Sequence, residues 1–321
     1  MPTAAAIYGG IGGSLLGAQQ AGFAPIYLIE PRDFASPLTV VENFGIPLVF
    51  GRFLKDFRTK DVDVIIGNPS CAQFSPLGMK RKDRGKLHEL DPMEFEITKF
   101  TTEVAVRRPK YWLLENVPQA TKHFEFLNKN GSAGLFFNGK VILTLEEHEV
   151  TKFDIECCDH WPYQKRHRII WVGRRNDTPR LIDLWPSNAQ EWKGCKEVLD
   201  DIPDISIPDY NHVIPNLTTK RIQRMDILKY GESYYGTQNN RRLDPDKPAY
   251  TITSHCTRHI HYKWPRPLTV RECARLQGFP DDFKFFGTET SQLDQVGKSL
   301  PVPVAKWLFE RIGNELQERI A

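Results

Sequence analysis

Short apolar runs alternate with helix-patterned segments through the first half of the chain, and this alternation limits the fold more than any other feature. Residues 4–8, 26–30, 62–66, 111–114 and 168–172 read as strands, and residues 14–21, 33–43 and 95–106 as helices. Strands and helices in that order build a mainly parallel sheet with helices on its faces. The expected fold class is α/β. Such a sheet takes ligands beyond the carboxyl ends of its strands. At 321 residues and 40% hydrophobic content, the chain is long enough for one large domain and a smaller one. Beyond residue 176 Pro, Asn and Asp become frequent and helical periodicity weakens. The expected organisation is therefore 1–175 as the main domain, 176–250 as an irregular second domain, and 251–321 as a return to the first. Helices are expected at 269–276 and 304–317.

Polar groups follow several of these strands directly. After the first comes Tyr8-Gly9-Gly10-Ile11-Gly12-Gly13, with Gly17 beyond. Glycines between a strand and a helix permit a tight turn and close backbone approach to a ligand. By themselves they are an ordinary connection, and the G-x-G-x-x-G pattern is not met. Glu30 strengthens the reading, since a carboxylate ending the next strand accepts hydrogen bonds from ribose hydroxyls. Tyr8, Gly10, Gly12, Gly13 and Glu30 are thus the candidates for a nucleoside cofactor.

The third strand runs into Gly67-Asn68-Pro69-Ser70-Cys71. A lone cysteine there is more often a small buried hydrophobe. Its company changes the balance: Glu115-Asn116-Val117 follows another strand, and Gln164-Lys165-Arg166-His167-Arg168 leads into a further one. A thiol, a carboxyl and two arginines at strand ends suit covalent catalysis.

Six cysteines without a C-x-x-C pair argue against a zinc site or a disulfide framework. The sequence Cys157-Cys158-Asp159-His160 matches a metal site by residue type alone, because neighbours on a strand point to opposite faces. His255, His259 and His261 near Cys256 read as core-edge or phosphate-contacting groups. No metal is expected. The formal charge of +3 neither requires nor excludes a nucleic-acid partner. No apolar stretch reaches eighteen residues, so a soluble protein of a reducing cytoplasm, with no membrane partner, is expected; a monomer is expected as well.

Read in order, these segments resemble the sequence blocks of the DNA cytosine-5 methyltransferases. The glycine turn with Ala21-Gly22-Phe23 is similar to their cofactor motif, residues 67–75 to their Pro-Cys loop, and Glu115-Asn116-Val117 to their Glu-Asn-Val motif. Gln164, Arg166 and Arg168 resemble their Gln-x-Arg-x-Arg block. Residues 266–280 and 295–301 are similar to the last two. The resemblance spans residues 4 to about 310 and is broken only by the irregular region.

The resemblance implies a class I S-adenosylmethionine-dependent methyltransferase (Rossmann-like) fold, double-stranded DNA as substrate, and a target-recognition role for 176–250. Cys71 is implied to add to cytosine C6, Glu115 to hold or protonate N3, Arg168 to bond O2, and Arg166 to support the thiol loop. The target base is implied to be flipped out of the duplex. Lys80, Arg81, Lys82 and Arg84, in the basic loop after the cysteine, and Arg241 and Arg242, in the irregular domain, are the candidate DNA contacts. A tRNA cytosine-5 methyltransferase is the rival enzyme, and a non-catalytic DNA-binding homologue the rival from another class. The second would have lost Cys71 or Glu115.

Departures from the family pattern gather where the cofactor is expected. Ser70 stands for a proline, Ala72 for a glutamine, and Arg52 for an acidic residue, with Asp56 as a substitute. Lys298 stands where a neutral asparagine is usual, beside the sulfonium end of the cofactor. An ammonium about 6 Å from a sulfonium costs about 3 kcal/mol at an effective dielectric of about 20. Either the lysine turns outward, or the cofactor carries an anion on its transferable carbon, as carboxy-S-adenosylmethionine does. In the second case Ser70 and Lys298 both belong to the cofactor site, and the product is 5-carboxymethylcytosine.

Overall fold

The computed structural model describes residues 1–31, 37–46, 48–49, 61–70, 91–127, 133–178, 190–235, 240–253 and 258–317. Cys71, Lys80, Arg81, Lys82, Arg84, Arg52, Asp56, Ala72, His255 and Cys256 lie outside the described residues. The alternation read from the sequence recurs as β1 (Thr3–Ile7), α1 (Gly13–Gln20), β2 (Ala24–Ile29), α2 (Pro37–Phe44), β3 (Leu48–Val49), β4 (Val64–Gly67), α3 (Glu96–Arg107) and β5 (Tyr111–Asn116). Three short strands follow, β6 (Phe124–Leu127), β7 (Ala133–Phe137) and β8 (Lys140–Thr144), and then β9 (His148–Glu156) and β10 (His167–Arg175). Beyond them lie α4 (Thr219–Asp226), α5 (Val270–Leu276), α6 (Glu289–Lys298) and α7 (Val302–Gln317).

The main sheet has the order β3-β2-β1-β4-β5-β10-β9. Pairing is parallel from β3 to β5. β10 is antiparallel to both β5 and β9. Antiparallel neighbours need only a short connection, whereas the parallel strands need helices as crossovers.

Alternate residues of the central strands enter different cores, as a period of two requires. Ala5, Ile7, Ile65, Trp112 and Leu114 face α3 and the strands β6 to β8. Ala4, Ala6, Val64, Ile66, Tyr111 and Leu113 face α1 and α7. With both faces covered, these strands must be apolar throughout, which is why the sequence exposes them so clearly. Gly17 permits the close approach of α1 to α7: a Cβ there would lie 2.6 Å from both the Ala305 Cβ and the Lys306 nitrogen. A third core joins Cys195, Leu199, Ile202, Leu243 and Ala249 to α5, α6, Ile11 and Leu16. It binds the irregular region to the segment that bears the glycine turn.

Several elements are not evident in the sequence. β9 buries His148, Val150, Phe153 and Ile155 among exposed polar and charged residues, so its few apolar positions are scattered and form no run. The strands β6 to β8 are only four or five residues each, and β7 is buried throughout, so they escape for shortness instead. α4 buries Met225 alone, packed with Tyr234 and Ile260, and so shows no apolar stripe. α6 is likewise not evident in the sequence. The Cys157–Asp159 segment forms a 3-10 turn after β9, so the strand argument used against a metal there does not apply. Among the described residues no group of three or more His, Cys, Asp or Glu side chains is arranged to hold a metal ion. No helix among them is long and apolar enough to cross a membrane.

Candidate active site at the strand ends

The glycine turn sits at the carboxyl end of β1. Tyr8 leaves the strand at φ 58°, followed by Gly10 at 61° and Gly12 at 88°. Glycine takes this left-handed region freely, whereas Tyr8 must be held there, and its N–H donates to the Ile29 carbonyl at 2.8 Å. Glu30, buried just after β2, accepts a hydrogen bond from the Gly10 N–H at 2.7 Å. A carboxylate and close glycine backbone from adjacent strands form a donor and acceptor set that suits a nucleoside with vicinal hydroxyls. The turn therefore fits a cofactor such as S-adenosylmethionine.

β4 and β5 are parallel neighbours, with Gly67 paired to Leu114, so the segment leading to Cys71 leaves the sheet beside Glu115. Across the antiparallel register, Ile170 pairs with Glu115. That register carries Arg168 to the carboxyl, where its Nε lies 2.5 Å from Glu115 Oε1. The other oxygen, Oε2, accepts from Asn68 Nδ2 at 3.1 Å, and Asn68 Oδ1 accepts from the Ser14 hydroxyl at 2.9 Å. Glu115, Asn68 and Ser14 are all buried. Asn116 Nδ2 donates to the Pro69 carbonyl at 3.3 Å, and the Ser70 N–H donates to Glu96 Oε2 at 2.6 Å. The two residues before Cys71 are thus held from β5 and from the first turn of α3.

Arg166 is buried and reaches a different surrounding. Its Nη1 donates to the Ile252 carbonyl at 2.7 Å and its Nη2 to the Gly297 carbonyl at 3.2 Å. It therefore ties the start of β10 to the end of α6. Lys298 follows at once, with Nζ 3.2 Å from Asp294 Oδ2, one helical turn earlier. Ser299 comes next, and a Cβ on Gly13 would lie 3.0 Å from its Cβ and Oγ. Lys298 thus stands between a residue bonded to Arg166 and one that touches the glycine turn. Below the site the Cys157 thiol is pushed up to about 12 by burial, which outweighs the opposing pull of Arg168 and Arg166. It is inert as a nucleophile.

A family model for C-5 cytosine-specific DNA methylase matches residues 4–314. The chain belongs to that family. Among its relatives, the type II methyltransferase M1.HphI of Haemophilus parahaemolyticus is 27% identical, over 95% of this chain and 85% of the relative. The type II methyltransferase M.FnuDI of Fusobacterium nucleatum is 26% identical, over 98% and 94%. In fold, the methylase is similar to a protein encoded within an Escherichia coli prophage and assigned as a DNA modification methyltransferase. That structure gives a TM-score of 0.71 at 20% identity, over 99% of this chain and 100% of the other. The Dnmt2 methyltransferase of S. pombe gives 0.63 at 16% identity, over 100% and 99%. The two structures bear on the fold alone, and the fold is that of the class I methyltransferases.

The methylase holds its candidate DNA contacts differently. Arg241 lies over the Tyr250 ring at 5.1 Å. Arg242 is committed within the chain, donating to the carbonyls of Asp226 at 2.7 Å, Leu228 at 2.9 Å and Tyr262 at 3.0 Å. Arg242 thus acts as a brace for the end of α4. His259 and His261 are buried, and burial lowers both to about 4, so they are neutral near pH 7. A neutral imidazole offers a phosphate no charge.

Ser14, Asn68 and Glu96 were not singled out from the sequence. The one signal was Asn68 itself, an amide between Gly67 and Pro69 at the end of a buried strand.

Proposed function

We propose that the protein transfers a one-carbon group from an S-adenosylmethionine-type cofactor to C5 of a cytosine turned out of double-stranded DNA. The observation that carries this reading is the Glu115 carboxyl held by Arg168 beside the strand end that leads to Cys71. Cys71 forms a bond from its sulfur to C6, which raises the electron density at C5. Glu115 holds N3 and places a proton there as negative charge develops. Arg168, already on the carboxyl, faces the O2 edge of the base. The cofactor supplies an electrophilic carbon bound to a sulfonium. C5 would bond that carbon as the carbon–sulfur bond breaks and the sulfur leaves as a neutral thioether; the N3 proton returns to Glu115, and loss of the C5 proton then expels the Cys71 thiolate and restores the C5–C6 double bond. Tyr8, the glycine turn and Glu30 hold the nucleoside part, and residues 176–250 serve target recognition.

DNA and tRNA containing 5-fluorocytosine test this directly, because fluorine at C5 cannot leave as a proton and the covalent adduct persists. An adduct with DNA that disappears in Cys71→Ala, while that variant still binds cofactor, is the expected result. An adduct with tRNA alone would transfer the reading to the rival substrate, and none with either would end it.

A second reading concerns the group transferred: the Lys298 side chain itself is turned outward, exposed and paired with Asp294, but it sits between the Arg166-bonded Gly297 and Ser299, which touches the glycine turn. A carboxylate on the transferable carbon would draw the ammonium away from Asp294, exchanging one carboxylate partner for another. Carboxy-S-adenosylmethionine would then give 5-carboxymethylcytosine. Mass spectrometry of nucleosides from DNA treated with each cofactor decides it. Lys298→Asn is expected to lose the carboxymethyl product and keep 5-methylcytosine; only 5-methylcytosine from the native protein in excess carboxylated cofactor leaves methyl transfer alone.

A further inference from the structure

We propose that Asn68 is a positioning residue for Glu115, and that through it the carboxyl is tied to the first turn of α1, next to the cofactor turn. The inference rests on the reading of Glu115 as the group that holds cytosine N3. The orientation of the Asn68 amide follows from its partners. A carboxylate accepts, so the NH₂ group must face Glu115, where Nδ2 lies 3.1 Å from Oε2. The amide oxygen then faces Ser14, whose hydroxyl donates to it at 2.9 Å. The reverse orientation would set oxygen against carboxylate.

The consequence lies in the plane of the carboxyl. The terminal torsion of a glutamate is broad, so one anchor leaves the group free to turn. Arg168 holds Oε1 from β10 and Asn68 holds Oε2 from the end of β4. Two donors on opposite oxygens fix the plane, and each oxygen keeps one further position free, which can carry the proton that Glu115 gives to N3 or accept from the exocyclic amine. The backbone that presents Asn68 is itself fixed. A Cβ on Gly67 would lie 2.4 Å from the Phe100 ring, so that position is pressed against α3. The Pro69 carbonyl is held by Asn116, and the Ser70 N–H by Glu96. The cofactor helix, the nucleophile segment and the catalytic carboxyl thus form one hydrogen-bonded unit.

A double-mutant cycle on single-turnover transfer tests this. Asn68→Ala is expected to slow transfer about ten- to hundredfold, the scale of one hydrogen bond to a charged group, with KM for DNA changed less than about threefold. Asn68→Asp has the same shape but no donor, and is expected to be at least as slow; it also carries the test if the alanine variant does not fold. In a Glu115→Gln background, Asn68→Ala is expected to cost less than about threefold, because the group it positions is gone. Equal losses in both backgrounds, or Asn68→Asp faster than Asn68→Ala, would overturn the inference. If Glu115→Gln alone leaves the rate unchanged, the fault lies in the role given to Glu115. If it is slow and the Asn68 effect is additive, the positioning inference falls while the role of Glu115 stands.

Discussion

The strand-end site and the irregular region around α4 are built on opposite principles. At the strand ends, polar side chains bond to one another and to backbone already fixed by sheet register: Glu115 to Arg168 and Asn68, Asn68 to Ser14, Ser70 to Glu96. Around α4, arginines lie against aromatic rings, Arg224 over Tyr234 at 4.6 Å and Arg241 over Tyr250 at 5.1 Å, and the local core is a few residues about Met225. Chemistry tolerates little displacement, so its groups are held from several strands at once. The duplex reading proposed for the region around α4 needs charge and contact area, and a brace such as Arg242 suffices to hold such a surface.

The sharpest way to break this comparison is to remove the acid from the first region. Glu115→Gln keeps the shape and both neighbouring donors, and is expected to lower the transfer rate by about 10²–10⁴-fold, the range of general acid–base groups. A rate unchanged within error would mean that the rigid assembly serves structure alone.

Next in size is the buried pair that supports the second region. Arg266 donates to Glu272 at 2.9 and 2.8 Å and to Asp204 at 2.7 Å. Burial alone would raise the Glu272 carboxyl, but the Arg266 guanidinium outweighs it and holds the carboxyl below its ordinary range. Arg266→Ala leaves a buried carboxylate without its charge partner and is expected to destabilise the fold by about 3–5 kcal/mol in urea titrations. A loss below about 1 kcal/mol would show that the pair is dispensable.

Acid sensitivity sharpens the same contrast. His259 and His261 are lowered to about 4 by burial, so the unfolded chain binds protons near pH 6.5 that the folded chain refuses. Their contribution to stability is present above the ordinary histidine range and is lost as pH falls from there towards 4. Unfolding free energy should therefore decline already between pH 6.5 and 5, before the carboxylates titrate. A flat profile over that interval would contradict it.

The smallest effect is expected at the DNA contact proposed for the second region. Arg241→Ala removes one half-buried cation and its stacking on Tyr250; KM for DNA should rise by about two- to tenfold and the salt dependence of binding should weaken by about one charge. A change in kcat with KM intact would instead connect this arginine to the chemistry.

The sequence by itself determined the alternating half of the fold, the glycine turn with Glu30, and the order of the blocks carrying Cys71, Glu115, Arg166 and Arg168. These are legible because a parallel strand buried on both faces must be apolar, and because its end is where a ligand meets the sheet. β9, the strands β6 to β8, α4 and α6 escaped it, since a half-buried strand such as β9, strands of four or five residues such as β6 to β8, and a helix anchored by one residue such as α4 leave little pattern. Only the tertiary structure decided that Arg168 lies on Glu115, that Asn68 joins Glu115 to Ser14, that Arg242 is a brace, and that Lys298 is engaged by Asp294. The physical reason is separation along the chain. Asn68 meets Glu115 and Ser14 across 47 and 54 residues, and no local propensity records which distant donors the sheet register brings together.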